Sequence, residues 1–420
     1  MKTRVCLILY MAHACLAAAA SAPATGPASI PPTIDFPKID RRPKSAANEL
    51  FFMLRRLPMK QEAFPTFDLK SGNPFEMDLR NHNLSTLDLR EKLGDLLRAH
   101  FDSRTVWPPP ERMPPAFDSR TILELGKNPG LDVRKLHATD VTGRGVGIAI
   151  IDQVLLTEHH EYADRLRLYE EINIKPGTPS QMHGPAVASI AVGKTLGVAP
   201  DADLYYIATW AGDFQGKDGF QFNFRYYAQA IQRVLQINRR LPEDRKIRVI
   251  AMAVGWTRDH QGYDQIAAAC EQAKAAGMLV LSSSVEDVHG FKFNGLGRVP
   301  MADPDAFDSY EPGMFWTALL PNDYLLKGRL MAPMDSRTTA SPCGPDEYVF
   351  YRQAGWSWAI PYIAGAYALA AQADPAVTPQ RFWDTAMKTG RTIQVKRNGQ
   401  MIPLGSIIDA PALVGALANK

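Results

Sequence analysis

Four short and almost wholly apolar segments alternate with helical patterns between residues 146 and 281. The strand-like segments are residues 146–151, 204–208, 249–254 and 279–281, and the helical patterns are residues 183–192, 227–239 and 263–275. Strands that are apolar on both faces and separated by helices form parallel sheets covered by helices on each side. We therefore predict an α/β fold, a doubly wound and mostly parallel sheet with helices on both faces. In such sheets, binding sites form at the carboxyl ends of the strands.

The composition is that of a globular protein and limits the class of partner. Of the 420 residues, 46% are hydrophobic and 22% are charged, and the formal net charge is +3. These fractions are typical of globular domains rather than of disordered or membrane-embedded chains. The small net charge, and the lack of a long basic run with interleaved aromatic residues, argue against nucleic acid as a partner.

The first residues predict a secretory signal peptide. Lys2 and Arg4 precede an apolar run over residues 5–20 that leads into small residues, and this order is typical of such peptides. An uncleaved membrane anchor is the alternative, although the run is short for a bilayer span. We predict a signal peptide over residues 1–22, a secreted or periplasmic location, and no membrane contact once the signal is removed.

Proline-rich stretches divide the rest of the chain. Residues 23–46 are rich in Pro, Ala and Ser and are predicted to form an exposed linker. A cluster of prolines at residues 108–115 then interrupts regular structure. We place a boundary there, between an N-terminal region of residues 47–116 and a main domain of residues 117–420.

The N-terminal region contains one clear helical pattern. The leucines that share a helix face are Leu89, Leu93, Leu96 and Leu97. This spacing predicts an amphipathic helix, and Thr86 or Asp88 could cap its start.

Two of the four cysteines fall within the predicted signal peptide. Cys270 and Cys343 remain, and they could form one disulfide in an oxidising compartment, a pairing that sequence alone does not decide. Cys270 lies in an alanine-rich helical pattern, which favours a small buried side chain. No spacing of Cys or His is typical of a metal site, and we predict none.

Three polar residues stand at the ends of predicted elements. Asp152 follows the first apolar strand, His183 opens a helix, and Ser357 lies at the start of an alanine-rich helical run. A carboxylate, an imidazole and a hydroxyl are the side chains used in nucleophilic catalysis by serine. Each residue alone is more often a cap or a packing residue, but chance rarely places all three at element ends of one sheet.

The segments around these residues resemble the subtilisin-like serine peptidases, the subtilase family. The segments are VGIAIIDQVLLTEHHEY around Asp152, MHGPAVASIAVGKTLGVAPDADL around His183, and GWSWAIPYIAGAYAL around Ser357. The resemblance covers roughly residues 128–417, because residues 405–410 are also similar to the family's closing strand and turn. It implies an exported serine endopeptidase that hydrolyses peptide bonds of peptide or protein substrates through an acyl-enzyme.

The resemblance also assigns roles to single residues. It makes Ser357 the nucleophile, His183 the general base and later the general acid, and Asp152 the group that orients the imidazole. The family pairs one strand with an extended substrate. The corresponding main-chain contacts here are Ala253, Val254 and Gly255.

The sequence departs from the family where the oxyanion donor is expected. Glu286 stands in place of the family's Asn, and an ionised carboxylate would repel an oxyanion. Three alternatives remain open: Glu286 is protonated and donates, a neighbour such as Ser284, His289 or Asn294 donates, or the enzyme is slow or inactive. The last alternative makes the chain a catalytically silent subtilase scaffold that binds extended peptides or a partner protein.

Other expectations rest on the resemblance alone. The N-terminal region would be a propeptide or a permanent accessory segment, and Trp356 and Trp358 would narrow the entrance to the site. No cofactor is expected. Structural calcium is known in the family, but no residues here can be assigned to it. The sequence does not indicate an oligomeric state.

Overall fold

The computed structural model of the chain describes residues 58–68, 70–71, 73, 75–214, 219–319, 327–397 and 399–418. The strands are β1 Met59–Lys60, β2 His82–Asn83, β3 Phe101–Asp102, β4 Gly147–Asp152, β5 Leu166–Ile172, β6 Asp203–Thr209, β7 Gly212–Phe214, β8 Phe220–Phe222, β9 Ile247–Met252, β10 Leu279–Ser282, β11 Phe293–Arg298, β12 Tyr310–Pro312, β13 Leu330–Pro333, β14 Arg337–Ala340, β15 Tyr348–Tyr351, β16 Arg391–Arg397 and β17 Gln400–Ile407. The helices are α1 Leu93–Leu96, α2 Ser119–Lys127, α3 Val133–His137, α4 His183–Val192, α5 Arg225–Arg240, α6 Tyr263–Ala275, α7 Val285–His289, α8 Met314–Leu319, α9 Trp356–Ala373, α10 Pro379–Thr389 and α11 Ala410–Ala418. The predicted signal peptide and linker, residues 1–46, lie outside the described residues.

A five-stranded sheet forms the centre of the main domain. Its order is β10-β9-β4-β6-β5, and every neighbouring pair is parallel. The four apolar segments predicted as strands correspond to β4, β6, β9 and β10. The fifth strand, β5, has no such signal, because charged residues interrupt its sequence LRLYEEI.

The side chains of β4 alternate between two apolar cores, one on each face of the sheet. Ile148 and Ile150 pack with α4 and α9, whereas Ala149 and Ile151 pack with α5 and α6. All four side chains are fully buried. Parallel strands require this cover on both faces, and the predicted doubly wound α/β fold is confirmed.

A second five-stranded sheet is mixed and runs in the order β12-β11-β13-β17-β16. Its inner pairs are parallel, and β12 and β16 are antiparallel edge strands. Helix α10 has Pro379 as its first residue, and Thr378 Oγ1 accepts a hydrogen bond from Arg381 N at 3.2 Å. The predicted closing strand is part of β17, and α11 follows it.

The N-terminal region contributes a strand to the main domain. β3 pairs antiparallel with β15, which pairs in turn with β14. An apolar cluster lies beneath this junction and includes side chains of both regions. Its buried members are Met77, Leu79, Leu84, Leu89, Leu96, Ala99, Phe101, Phe117, Ile122 and Phe350.

The helix predicted over residues 89–97 is much shorter than expected. Helix α1 has four residues and its N-cap is Lys92, so neither Thr86 nor Asp88 caps it. The Asp88 carboxylate instead accepts a hydrogen bond from Arg90 N at 3.2 Å. This local turn competes with helix formation, and Gly94 inside the pattern weakens the helix further.

Neither a membrane-spanning helix nor the Cys270–Cys343 bridge is found in the described part of the chain. None of its helices is both long and apolar enough to cross a bilayer. Cys270 and Cys343 are not joined by a disulfide. Cys270 is buried in α6, and burial raises the pKa of its thiol to about 12. The prediction of a small buried side chain at Cys270 is confirmed.

Candidate active site

Asp152 and His183 meet at the carboxyl edge of the central sheet. Asp152 is the last residue of β4, and His183 is the first residue of α4. His183 Nδ1 lies 2.7 Å from Asp152 Oδ1. In the tautomer that donates from Nδ1 to this carboxyl oxygen, Nε2 is the basic nitrogen. The structure therefore brings together two of the three predicted catalytic residues.

Gly184 lets the start of α4 pack closely against Tyr206 and Gln153. A Cβ atom at residue 184 would lie 2.5 Å from Tyr206 Oη and 2.7 Å from Gln153 O. The Tyr206 hydroxyl donates to Gln153 O at 2.5 Å, and Gln153 N donates to Asp152 Oδ1 at 2.7 Å. The segment after β4 is thus fixed by β6 and by the absence of a side chain at Gly184. Tyr206 lies within an apolar strand, and no sequence pattern predicts its role.

Ser357 is the second residue of α9 and is 3% exposed. Its Oγ donates a hydrogen bond to Ala253 O at 3.2 Å. Among the hydrogen bonds of the described residues, none joins Ser357 to His183. Catalytic hydrogen bonds are often long or misaligned in enzymes without substrate. The three predicted catalytic residues therefore remain a prediction.

Trp358 belongs to the same helix as Ser357, and its side chain contacts the histidine. Its ring packs edge-on against His183, with 5.4 Å between centroids and an interplanar angle of 74°. It is 3% exposed, so it forms an internal wall rather than the rim of an entrance. Trp356 is partly buried and contacts Phe315, with 5.5 Å between ring centroids. The expectation that Trp356 and Trp358 narrow the entrance to the site stays a prediction.

The predicted substrate segment lies directly after β9. Ala253 O accepts a hydrogen bond from the Ser357 hydroxyl, and Val254 O accepts one from Ser283 N at 3.0 Å. A Cβ atom at Gly255 would lie 3.0 Å from Ser283 Cβ. The segment after β10 therefore packs tightly against the predicted substrate segment, and glycine at residue 255 relieves the contact.

The residues predicted as oxyanion donors are engaged elsewhere or buried. The Glu286 carboxylate lies 3.2 Å from Lys292 Nζ, and its side chain is 46% exposed. Ser284 Oγ accepts from Trp256 N at 2.8 Å and donates to Trp256 O at 2.9 Å. Asn294 is fully buried in β11. These contacts favour Glu286 as an acceptor in an ion pair, and the identity of the donor stays a prediction.

Asp335 supports the loop that precedes Ser357, and no sequence pattern indicates this role. Its two carboxylate oxygens accept Ala354 N at 2.9 Å and Met314 N at 2.8 Å. Burial raises the pKa of Asp335 to about 7, although the nearby Arg352 guanidinium acts in the opposite direction. The carboxyl group thus links the start of α8 to the residue before Gly355.

No cluster of three or more His, Cys, Asp or Glu side chains in the described residues is placed to hold a metal ion. The carboxylate of Asp152 and the imidazole of His183 lie at the carboxyl edge of the sheet, where α/β folds commonly bind their ligands.

Comparison with known proteins finds similarity to one family. Residues 143–309 match the sequence profile of the Subtilase family. Subtilisin-like protease 2 of Arthroderma otae is 25% identical over 243 residues, which are 54% of this chain and 53% of that protein. The matched part of the chain is therefore similar to subtilases. The family match includes Asp152 and His183 and ends before Ser357.

Two further similarities are more limited. Subtilisin-like protease PopC of Myxococcus xanthus (strain DK1622) is 32% identical over 80 residues, covering 16% of this chain and 17% of PopC. The chain thus spans about half of the first relative and less of the second. The solved structure of the prenylagaramide maturation protease PagA aligns with a TM-score of 0.47 and 15% identity, over 68% of this chain and 98% of PagA.

Proposed function

We propose that this chain is an exported serine endopeptidase that hydrolyses peptide bonds through Asp152, His183 and Ser357. The observation that carries the proposal is the 2.7 Å hydrogen bond between His183 Nδ1 and Asp152. The Trp358 ring that packs on His183 belongs to the residue after Ser357, which supports a location of the hydroxyl close to the imidazole. The match of residues 143–309 to the Subtilase family profile supports the same reaction class.

In the proposed reaction, Ser357 Oγ attacks the scissile carbonyl carbon while His183 Nε2 accepts the hydroxyl proton. The tetrahedral intermediate collapses, the C–N bond breaks, and the imidazolium gives its proton to the leaving amine. Water then attacks the acyl-enzyme with His183 again as base, which releases the carboxylic acid and regenerates Ser357. Asp152 keeps the imidazole in the required tautomer throughout.

The start of α9 offers one donor for the oxyanion. The first amides of a helix have no acceptor within the helix and carry partial positive charge. Ser357 N is among them, since α9 begins at Trp356. A second donor is needed for an efficient site, and Glu286, Ser284 and Asn294 are the candidates.

Extended peptides are the substrate class that the segment after β9 would bind. The main chain of Ala253, Val254 and Gly255 would pair with the substrate as an added strand. The contact between Ser357 Oγ and Ala253 O supports this arrangement, because it puts the proposed nucleophile at the end of that segment. Peptides and proteins are therefore the proposed partners.

A silent scaffold that binds extended peptides without cleaving them is the second candidate. The observation in its favour is that the Ser357 hydroxyl bonds to Ala253 O and not to His183. Glu286 at the expected donor position adds to it. The two candidates share the peptide-binding segment and differ only in the reactivity of Ser357.

Labelling with a fluorophosphonate separates the two candidates. We expect covalent modification of wild-type Ser357, located by mass spectrometry, and cleavage of a denatured protein substrate. Labelling should be lost in Ser357→Ala and strongly reduced in His183→Ala. Binding of a peptide without labelling or cleavage would favour the scaffold instead.

Export is the part of the proposal that rests on the predicted signal peptide alone. Lys2, Arg4 and the apolar residues 5–20 are its basis. We expect the purified mature protein to lack residues 1–22 and to be recovered from the periplasm or the medium. An intact N-terminus retained inside the cell would contradict export and leave the peptidase proposal to the labelling experiment.

A further inference from the structure

We propose that Arg80 is a positioning residue for the active site and that residues 58–116 remain part of the working protein. The proposal rests on the peptidase function proposed above. Arg80 lies in the N-terminal region and contacts Tyr351 at the end of β15. Two ring contacts then connect Tyr351 to His183.

Main-chain pairing fixes the N-terminal region to the strand that leads towards Ser357. Phe101 of β3 lies opposite Phe350 of β15, and Asp102 lies opposite Val349. Next to this pair, Ser103 N donates to Tyr348 O at 3.0 Å. Strand β3 of the N-terminal region is therefore an edge strand of the three-stranded sheet β14-β15-β3.

Apolar contacts make removal of this region costly. Phe350 is 1% exposed, and its ring centroid lies 5.1 Å from that of Phe101. Ile122 of α2 is fully buried in the same cluster. Removing apolar side chains of this size from water is a main source of folding stability. Loss of residues 58–116 would expose these side chains close to the active site.

The Arg80 guanidinium is held in a defined orientation. Its Nε and Nη2 atoms donate to the two oxygens of Asp78 at 2.8 and 2.6 Å, and Nη1 donates to Tyr351 Oη at 3.2 Å. Such a bidentate pair fixes the plane of the guanidinium. The Nη1 group is thereby directed at Tyr351 Oη. A second hydrogen bond between the two regions is donated by Arg352 Nε to Leu97 O at 3.1 Å.

Tyr351 transmits this constraint to the imidazole. Its ring packs edge-on against Trp358 with 5.3 Å between centroids, and Trp358 packs edge-on against His183 at 5.4 Å. Tyr351 and Trp358 are 2% and 3% exposed. Close-packed interiors leave little space for such rings to move independently. His183 is thus held between Asp152 on one side and the Trp358 ring on the other.

The chain contains a matched control for Arg80. Arg90 donates to Asp88, also two residues earlier, through Nε at 3.0 Å and Nη2 at 2.5 Å. The Arg90 side chain is 62% exposed, and its described hydrogen bonds are with Asp88. Arg80→Met and Arg90→Met therefore remove similar ion pairs from the same region, and only Arg80 contacts the main domain through Tyr351.

Kinetics and hydrogen exchange test the proposal together. We expect Arg80→Met to lower kcat about 10- to 100-fold with little change in KM, because small displacements of catalytic groups have effects of this size. It should also increase amide exchange over residues 348–358. Arg90→Met should change neither quantity. Tyr351→Phe keeps the ring but removes the hydroxyl, so it should cause part of the loss and add little to Arg80→Met.

The outcomes separate this proposal from the proposed function. If wild-type Ser357 is not labelled by the phosphonate, the peptidase function fails, and hydrogen exchange still decides the role of Arg80. Equal exchange and equal kcat in Arg80→Met and Arg90→Met would overturn the positioning role. If Arg80→Met does not fold, Tyr351→Phe gives the same decision. A fully active protein whose mass lacks residues 58–116 would overturn the retention of that region.

Discussion

The Ser357 hydroxyl donates a hydrogen bond to the main-chain oxygen of Ala253, with 3.2 Å between the two oxygens. This contact joins the proposed nucleophile to the segment proposed to bind the substrate backbone. For attack, the hydroxyl must turn from Ala253 O towards His183 Nε2, because only the imidazole can accept its proton at that stage. The bond to Ala253 thus describes a resting arrangement of the proposed site.

Asp152→Asn tests the role of the carboxylate in selecting the tautomer of His183. The amide can donate to Nδ1, which would move the imidazole proton to Nε2 and remove the base. We expect kcat for peptide hydrolysis to fall about 10⁴-fold. Asp203→Asn is the control, since Asp203 is buried at the amino end of β6 and pairs with Arg167 and Arg245. It should lower stability while leaving kcat of the folded protein unchanged. Equal effects on kcat would exclude a special role for Asp152.

Gly184→Ala tests the packing that holds Asp152 near His183. The new methyl would overlap Tyr206 Oη and Gln153 O, at 2.5 and 2.7 Å. We expect a loss of about 1–3 kcal/mol in the free energy of unfolding and at least a tenfold fall in kcat/KM. Gly415→Ala is the matched control, because no atom lies within 4 Å of a Cβ atom there. Unfolding curves and kinetics that do not distinguish the two variants would refute the packing role.

Glu286→Gln tests the oxyanion hypothesis. Glu286 faces Lys292, and exposed ion pairs contribute little energy. We therefore expect Glu286→Gln to change kcat by less than about threefold at every pH. Lys292→Met breaks the same pair from the other side and should behave alike. A loss of about 10²- to 10³-fold in Glu286→Gln alone would instead identify Glu286 as a donor.

The central sheet could be predicted because its strands are apolar on both faces. Residues 183–192 and 263–275 were also predictable as helices, and the structure gives α4 and α6 the same bounds. Other elements had no local signal. The charged residues of β5 interrupt the apolar pattern that would predict a strand. The two-residue β3 has an extended conformation because it pairs with β15. Such pairing joins residues that are far apart in the sequence.

The site was predictable where the chemistry requires particular residue types next to the ends of elements. Asp152 and His183 meet as expected, since both stand at one edge of the sheet. The supporting contacts were not predictable. Arg80 reaches Tyr351 across 271 positions in the sequence, and Asp335 bonds to Ala354 from a neighbouring strand-to-strand turn. Their roles depend on tertiary packing and not on any local pattern.

Asp335 also makes the stability of the protein depend on pH. Burial raises the pKa of Asp335 to about 7 in the folded protein, from the ordinary aspartate value of 3.8. Between these two values the folded protein holds a proton that the unfolded chain has released. The folded state is therefore favoured at low pH, and this contribution is lost as the pH rises through about 7. Arg352 and Glu311 are the charged groups that act on the carboxyl with opposite signs.

Asp335→Asn should remove this pH dependence. The amide stays neutral at every pH, so the fall in unfolding free energy between about pH 4 and pH 7 should become shallower, by about 1.4 kcal/mol for each unit of pKa shift removed. Asparagine has one acceptor oxygen for the amides of Met314 and Ala354, so the variant should also be less stable near pH 4. Denaturant unfolding across this range, with Asp88→Asn as an exposed control, measures both effects. An unchanged slope in Asp335→Asn would show that other groups cause the pH dependence.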